Sequence, residues 1–131
     1  DHAGLTGHSD GDAVAHAVID AILGAAALGN VGSHFPPTDA TWKNADSIEL
    51  LRASSTVLHE AGWSVGNVDV TVICETPKIG PHSSAMRARL GDAMQIPVER
   101  ISIKGKTNER MGWIGAGEGL AVHAVALVQE R

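Results

Sequence analysis

Between Asp10 and Leu28, apolar side chains return at Val14, Val18, Ile19, Ile22, Leu23 and Ala26, the three- and four-residue spacing of an α-helix. They are dense enough to cover most of the circumference, which predicts a central helix. Ser9 or Asp10 is placed to cap it, Asp12 sits in its first turn, and Gly29 follows as a C′ residue. The segment from Gly29 to Ala45, rich in Gly, Pro and Asp, predicts a loop. A second helix is expected from Asp46 to Gly62, with Asp46 and Glu49 spaced as a capping box.

The period then changes. Val68, Val70 and Val72 alternate within Val65 to Glu75 and predict a strand. Thr71 and Ile73 on its other side are not strongly polar, so both faces are expected to be covered. Pro77, Gly80 and Pro81 break the turn from Thr76 to His82. Ser83 to Met94 reads as a third helix with Met86, Leu90, Ala93 and Met94 facing inward. Ile101 to Lys104 reads as a short strand, and LAVHAVALV, Leu120 to Val128, as a buried last strand. The order is helix, helix, strand, helix, strand, strand, with no repeat or linker, and 131 residues suit a single domain spanning 1–131.

Composition narrows the function. The net charge of −5 argues against a nucleic-acid partner, although Lys104 and Lys106 leave a small anionic ligand open. No apolar run approaches the ~20 residues of a membrane span. The single cysteine, Cys74, excludes an internal disulfide and fits a reducing compartment.

Polar groups crowd the entrance of the first helix. GHSDGDAVAH, Gly7 to His16, holds two histidines, two aspartates and a serine, and a cap needs only one of them. Asp12, His16 and Asp20 lie at i, i+4 and i+8, one stripe that drifts by ~40°, with His8 just before it. The layout suits a metal or phosphate at a helix start, and equally a cap with solvent-facing neighbours. His16 alone is no metal site, because catalytic zinc typically takes three protein ligands. Asp20 reads as a hydrogen-bonded structural residue. His8 beside Ser9 is not a hydrolase pair: sequence neighbours rarely face each other, and no G-x-S-x-G elbow is present.

In IKGKTNERMGWIGAGEG, Ile103 to Gly119, the residues Lys104, Lys106, Thr107, Asn108 and Glu109 follow a strand and precede several glycines. Lysine, hydroxyl and N–H donors suit phosphate oxygens, and a carboxylate beside them suits Mg²⁺; a solvated basic turn fits the same residues. A strand pattern follows, not a helix, so the dinucleotide fingerprint fails. Pro36, Pro37, Thr38 and Asp39 form a further cluster, and Pro77, Lys78, Ile79 and Gly80 another; each also fits a plain turn. His34, His59 and His123 read as structural or surface residues, Trp42, Trp63 and Trp113 as core or interface, and Cys74 as a small buried residue.

Taken in order, HSDGDAVAH, LGNVGSHFPPTD, ADS, GNVDVTVICETPKIGPH and IKGKTNERMGWIGAGEG closely resemble the 2-C-methyl-D-erythritol 2,4-cyclodiphosphate synthase family over nearly the whole chain. The resemblance implies an α+β subunit with a mixed β-sheet packed against helices, assembled as a homotrimer with active sites between subunits. It implies a lyase of non-mevalonate isoprenoid biosynthesis that cyclises a CDP-linked methylerythritol phosphate and releases CMP, in a bacterial cytoplasm or plastid stroma. It implies zinc, or a similar divalent metal, at His16, and Mg²⁺ or Mn²⁺ at Glu109. His8 and Ser9 correspond to contacts with the methylerythritol phosphate, with His8 and Thr107 stabilising the transition state. Asn30, Val31 and Gly32, with Phe35, Pro36, Pro37, Thr38 and Asp39, correspond to the sugar-alcohol pocket. Cys74, Glu75, Thr76, Pro77, Lys78, Ile79 and Gly80 match the loop that cradles cytosine. Lys106, Thr107, Asn108 and Glu109 match the phosphate segment, and Trp113 an aromatic position beside it.

Four positions depart from the pattern. The family opens on a strand carrying Asp-x-His, two further zinc ligands; Asp1 and His2 are adjacent and align with the connector after it, so an earlier start to the natural chain is expected. Asn30 replaces an aspartate that accepts from substrate hydroxyls, and its amide oxygen accepts without the charge, which predicts weaker substrate binding. Pro37 replaces a common aspartate in a turn. Ala116 replaces a phosphate-reaching arginine, for which Lys106 substitutes only as a point charge. A metal-dependent phosphohydrolase, or a non-catalytic trimer binding nucleotide or isoprenoid phosphates, would use the same groups. Product analysis separates the first from a cyclase, and an upstream Asp-x-His the second.

Overall fold

The computed structural model describes residues 8–36, 38–39, 46–74, 82–106, 111–112 and 120–131, with 8–10 by backbone alone. The first helix, α1 (His8–Ala25), turns Val14, Ala15, Val18, Ile19, Ile22 and Leu23 into the core. These residues form one stripe rather than the expected near-complete coverage: Ala13, Ala17 and Ala21 are half-exposed, and His16 and Asp20 are open to solvent. An alanine methyl buries little area, so an alanine-rich sequence overstates how much of a helix is covered.

The stop of α1 also differs from expectation. Ala27, not Gly29, is the left-handed C′ residue, with φ 58°. Leu28 N–H donates to the Leu23 carbonyl and Ala27 N–H to that of Gly24, the paired bonds of a Schellman stop. Gly29 serves the next turn: its φ is 97°, and a Cβ there would lie 2.7 Å from Ser33 Oγ. The predicted loop contains a one-turn helix, α2 (Val31–His34). Asn30 Oδ1 accepts from Ser33 N–H at 3.0 Å, and Ser33 Oγ accepts from Asn30 N–H at 3.1 Å. Helix α3 (Ser47–Glu60) starts at Asp46, whose carboxylate takes the Ile48 N–H at 2.8 Å. Glu49 lies 3.7 Å from Arg52 rather than closing a box onto Asp46.

Strand β1 (Trp63–Ile73) lies between β2 (Ile101–Lys106) and β3 (Ala121–Glu130). It runs parallel to β2 and antiparallel to β3, a mixed sheet. The parallel pair needs a crossover, which α4 (Ser83–Met94) and a 3₁₀ turn at Val98–Arg100 provide. A bulge between Val65 and Asn67 adds one residue, so Val65 shares a face with Val68, Val70 and Val72. That face packs beneath α1 and α3, with Leu51, Leu58, Leu90 and Met94 in the same core.

Among the described residues, the opposite face is open to solvent. Asn67 is exposed, and Asp69, Thr71 and Ile73 are half-exposed. On β3, Val122, Ala124, Ala126 and Val128 pack toward the core, while His123, Val125 and Leu127 project outward. The last strand is therefore buried on one side only. Among the described residues, no helix is long and apolar enough to cross a membrane.

Candidate active site

Cys74 and Lys106, where two of the sequence clusters begin, meet at one end of the sheet. Parallel pairing brings the carboxyl ends of β1 and β2 level, with Ile73 opposite Lys106. Cys74 N–H then donates to the Lys106 carbonyl at 3.0 Å, one bond beyond the ladder. The chain therefore enters 75–81 and 107–110 from adjacent points. Carboxyl ends of parallel strands are where open α/β sheets hold ligands, because the backbone diverges there into loops. Cys74 itself is buried, 6% exposed, as a small core residue. Lys106 is exposed. Lys104, two residues earlier, is bonded to Asp69 at 2.7 and 2.8 Å on the open sheet face.

A second group lies on the segment after α1. Asn30, Gly32, Thr38 and Asp39 are exposed, Val31 and Pro36 half-buried, and Phe35 is anchored in the core at 8% exposure. The segment is shaped by its own bonds: the Asn30–Ser33 box, Ser33 Oγ donating to the Asn30 carbonyl at 2.8 Å, Phe35 N–H to Val31 O at 2.9 Å, and Asp39 N–H to Pro36 O at 3.0 Å. His34 Nε2 bonds the Leu28 carbonyl, a structural role as expected. Asn30 Oδ1 already holds Ser33 N–H, so its Nδ2 donor is the more available group for a ligand.

The polar stripe on α1 is a set of ties around one imidazole. Asp20 Oδ1 accepts from Val31 N–H at 2.8 Å. Asp12 Oδ1 accepts from the Ser47 hydroxyl at the start of α3. His16, between them on the stripe, is exposed. The expectation for Asp20 as a hydrogen-bonded residue is met; the role of Asp12 was not read from the sequence, although its i, i+8 spacing from Asp20 was visible.

An exposed imidazole on a rigid helix suits one nitrogen ligand of zinc. Among the described residues no three His, Cys, Asp or Glu side chains are grouped to hold a metal, so His16 fits as one ligand and not as a whole site. Pro37, Glu75, Thr76, Pro77, Lys78, Ile79, Gly80, Thr107, Asn108, Glu109 and Trp113 lie outside the described residues, as do Trp42, Ala116 and the side chains of His8 and Ser9.

The YgbB family model matches residues 1–129. A protein of Xanthomonas axonopodis pv. citri named 2-C-methyl-D-erythritol 2,4-cyclodiphosphate synthase is 53% identical over 125 residues, covering 95% of this chain and 75% of its own. The bifunctional IspDF of Campylobacter jejuni superposes with a TM-score of 0.87 at 39% identity; 95% of this chain is covered, and it spans about a third (34%) of that protein. The IspF of Plasmodium falciparum, in a CDP complex, superposes with a TM-score of 0.81 at 31% identity over 95% of this chain and 74% of its own.

Proposed function

Because the chain belongs to the YgbB family, we infer that it closes the 2,4-cyclodiphosphate ring of 2-C-methyl-D-erythritol in isoprenoid biosynthesis. The substrate is 4-diphosphocytidyl-2-C-methyl-D-erythritol 2-phosphate. An oxygen of its 2-phosphate attacks the β-phosphorus, a new O–P bond forms, and the bond from the β-phosphorus to the bridging oxygen breaks. CMP leaves with that oxygen. Nucleophile and leaving group both belong to the substrate, so the protein supplies folding of the substrate, in-line geometry and charge neutralisation. The observation that supports this reading is the Cys74–Lys106 bond, which joins the first residues of the cytosine-matching and phosphate-matching segments.

Within it, Asn30 to Gly32 and Phe35 to Asp39 form the wall for the methylerythritol hydroxyls. Cys74 to Gly80 receive cytosine. Lys106, Thr107 and Asn108 hold phosphate oxygens, with Trp113 nearby. His8 and Thr107 stabilise the transition state, and Ser9 binds beside His8. His16 holds zinc, and Glu109 holds Mg²⁺ or Mn²⁺. Such ions, when bound, polarise phosphate oxygens as Lewis acids. Three copies assemble so that the wall of one faces the nucleotide segment of the next. The open sheet face, with exposed Val125 and Leu127, supports self-association.

The test is turnover of the CDP-linked substrate by the full-length protein with zinc and magnesium, followed by ³¹P NMR. A cyclic diphosphate appearing in step with CMP is expected. Open-chain phosphates in its place would identify a phosphohydrolase, and nucleotide binding without CMP release would identify a non-catalytic binder; either result overturns the reading.

A further inference from the structure

Asp20 stands outside the residues that the ring-closing reading uses, yet it makes a bond that ties the start of the substrate wall to α1. Its Oδ1 accepts the Val31 N–H at 2.8 Å, across eleven positions of sequence. Val31 is the first residue of α2, where a backbone N–H has no partner inside the helix. The Asn30–Ser33 box and the Phe35–Val31 bond are internal to the wall and fix its shape; the buried Phe35 and the His34 Nε2 bond to the Leu28 carbonyl hold its later part, and Asp20 holds its start. Asp20 reaches it from α1, a helix held by the fully buried Val18, Ile19, Ile22 and Leu23. His16 lies one turn earlier on the same stripe, so one rigid element carries both the metal-ligand imidazole and the peg for the hydroxyl-binding wall.

We propose that Asp20 is a positioning residue for the reaction: through the Val31 N–H it sets the distance between the methylerythritol-binding segment and the His16 face of α1. It does not touch the substrate. This rests on the ring-closing reading, and the experiment keeps the two apart. Asp20→Ala removes the acceptor; Asp20→Asn keeps an amide oxygen that can take the same N–H. Val31→Pro removes the donor, and proline is tolerated at a first helical position after the extended Asn30, φ −140° and ψ −180°.

Full-length variants are compared by steady-state kinetics on the CDP-linked substrate, with CDP affinity measured separately by calorimetry. Asp20→Ala raises KM about tenfold with kcat nearly unchanged, the signature of lost uniform binding. Its CDP affinity stays at the wild-type value, because the Asp20 bond is to the methylerythritol wall and not to the nucleotide segment that begins at Cys74. Asp20→Asn stays near wild type. In the Val31→Pro background Asp20→Ala adds nothing further, because both changes break one bond. Asp46→Ala, which loses the α3 cap, lowers the melting temperature and leaves KM unchanged, so a general loss of stability does not reproduce the effect. An unchanged KM in Asp20→Ala, a loss of CDP affinity in step with KM, or additive effects in the double variant would each overturn the proposal. A wild-type protein that releases no CMP would overturn the ring-closing reading, and the unfolding free energies of the same four-way cycle would then test the Asp20–Val31 bond. Additivity there too would overturn it.

Discussion

Asp69 sits on the open face of the sheet, diagonal to Lys104 across the β1–β2 register. The Lys104 ammonium, 2.7 Å away, holds the Asp69 carboxyl below its ordinary value of 3.8; the neighbouring Ser102 hydrogen bond acts the same way, and partial burial opposes both. A carboxyl with a lowered folded-state pKa adds stability above its unfolded value and loses it as pH falls through the folded value. Unfolding midpoints in urea should therefore fall with acid below about pH 4, and Asp69→Asn should flatten that part of the profile. Both side chains are close to half exposed, so salt should screen the effect, and the change at pH 7 should be small. The sequence offered Lys104 with Lys106 as a basic pair for anions. Only the register shows that Lys104 has an acidic partner in a distant strand, which leaves Lys106 to the strand end.

Elements were legible where a period was long enough to read. Helix α4 lies at its expected bounds, Ser83–Met94, and β1 and β3 within two residues of theirs. Helix α2 was not legible, because four residues carry no period and its start depends on the Asn30–Ser33 box. The return from α4 to β2 shows a close approach that no pattern announces. Gln95 takes a left-handed φ of 59°, and the chain doubles back so that Gln95 N–H and Ile96 N–H both reach the Gly91 carbonyl. Arg87 then secures the start of β2, donating from Nε to Ile101 O at 2.8 Å and from Nη2 to Val98 O at 2.7 Å. A Cβ on Gly91 would lie 2.9 Å from the Ile96 carbonyl oxygen and 3.4 Å from Ile101 Cδ1. The first of these is backbone, so the turn itself must shift. Helix preference favours alanine by up to ~1 kcal/mol, but overpacking of this kind costs about 1–3 kcal/mol. Gly91→Ala is thus expected to lower stability by roughly 1–2 kcal/mol, read from the denaturant midpoint at unchanged m-value.

At the scale of the molecule, the sequence suggested a buried last strand, and among the described residues one of its faces is open to solvent. In LAVHAVALV, Val122, Ala124, Ala126 and Val128 meet the core, whereas His123 is exposed on the other face with Val125 and Leu127, which are 70% and 63% exposed. On the same face lie Ile73, Thr71 and the Asp69–Lys104 pair, where the pair neutralises its own charges. The exposed Val125 and Leu127 make this face the candidate contact of the proposed trimer. In the proposed trimer a second and third copy of the chain would cover it. Placing glutamates at both Val125 and Leu127 would put unpaired charges into that surface, at a cost well beyond the lost apolar area. Light scattering after gel filtration should give the wild-type protein a mass of three chains. The Val125→Glu, Leu127→Glu double variant should run mainly as single chains, keep its helical circular dichroism, and lose CMP release. A wild-type monomer with full turnover would disprove the shared site, and a double variant that stays trimeric would place the contact on another face.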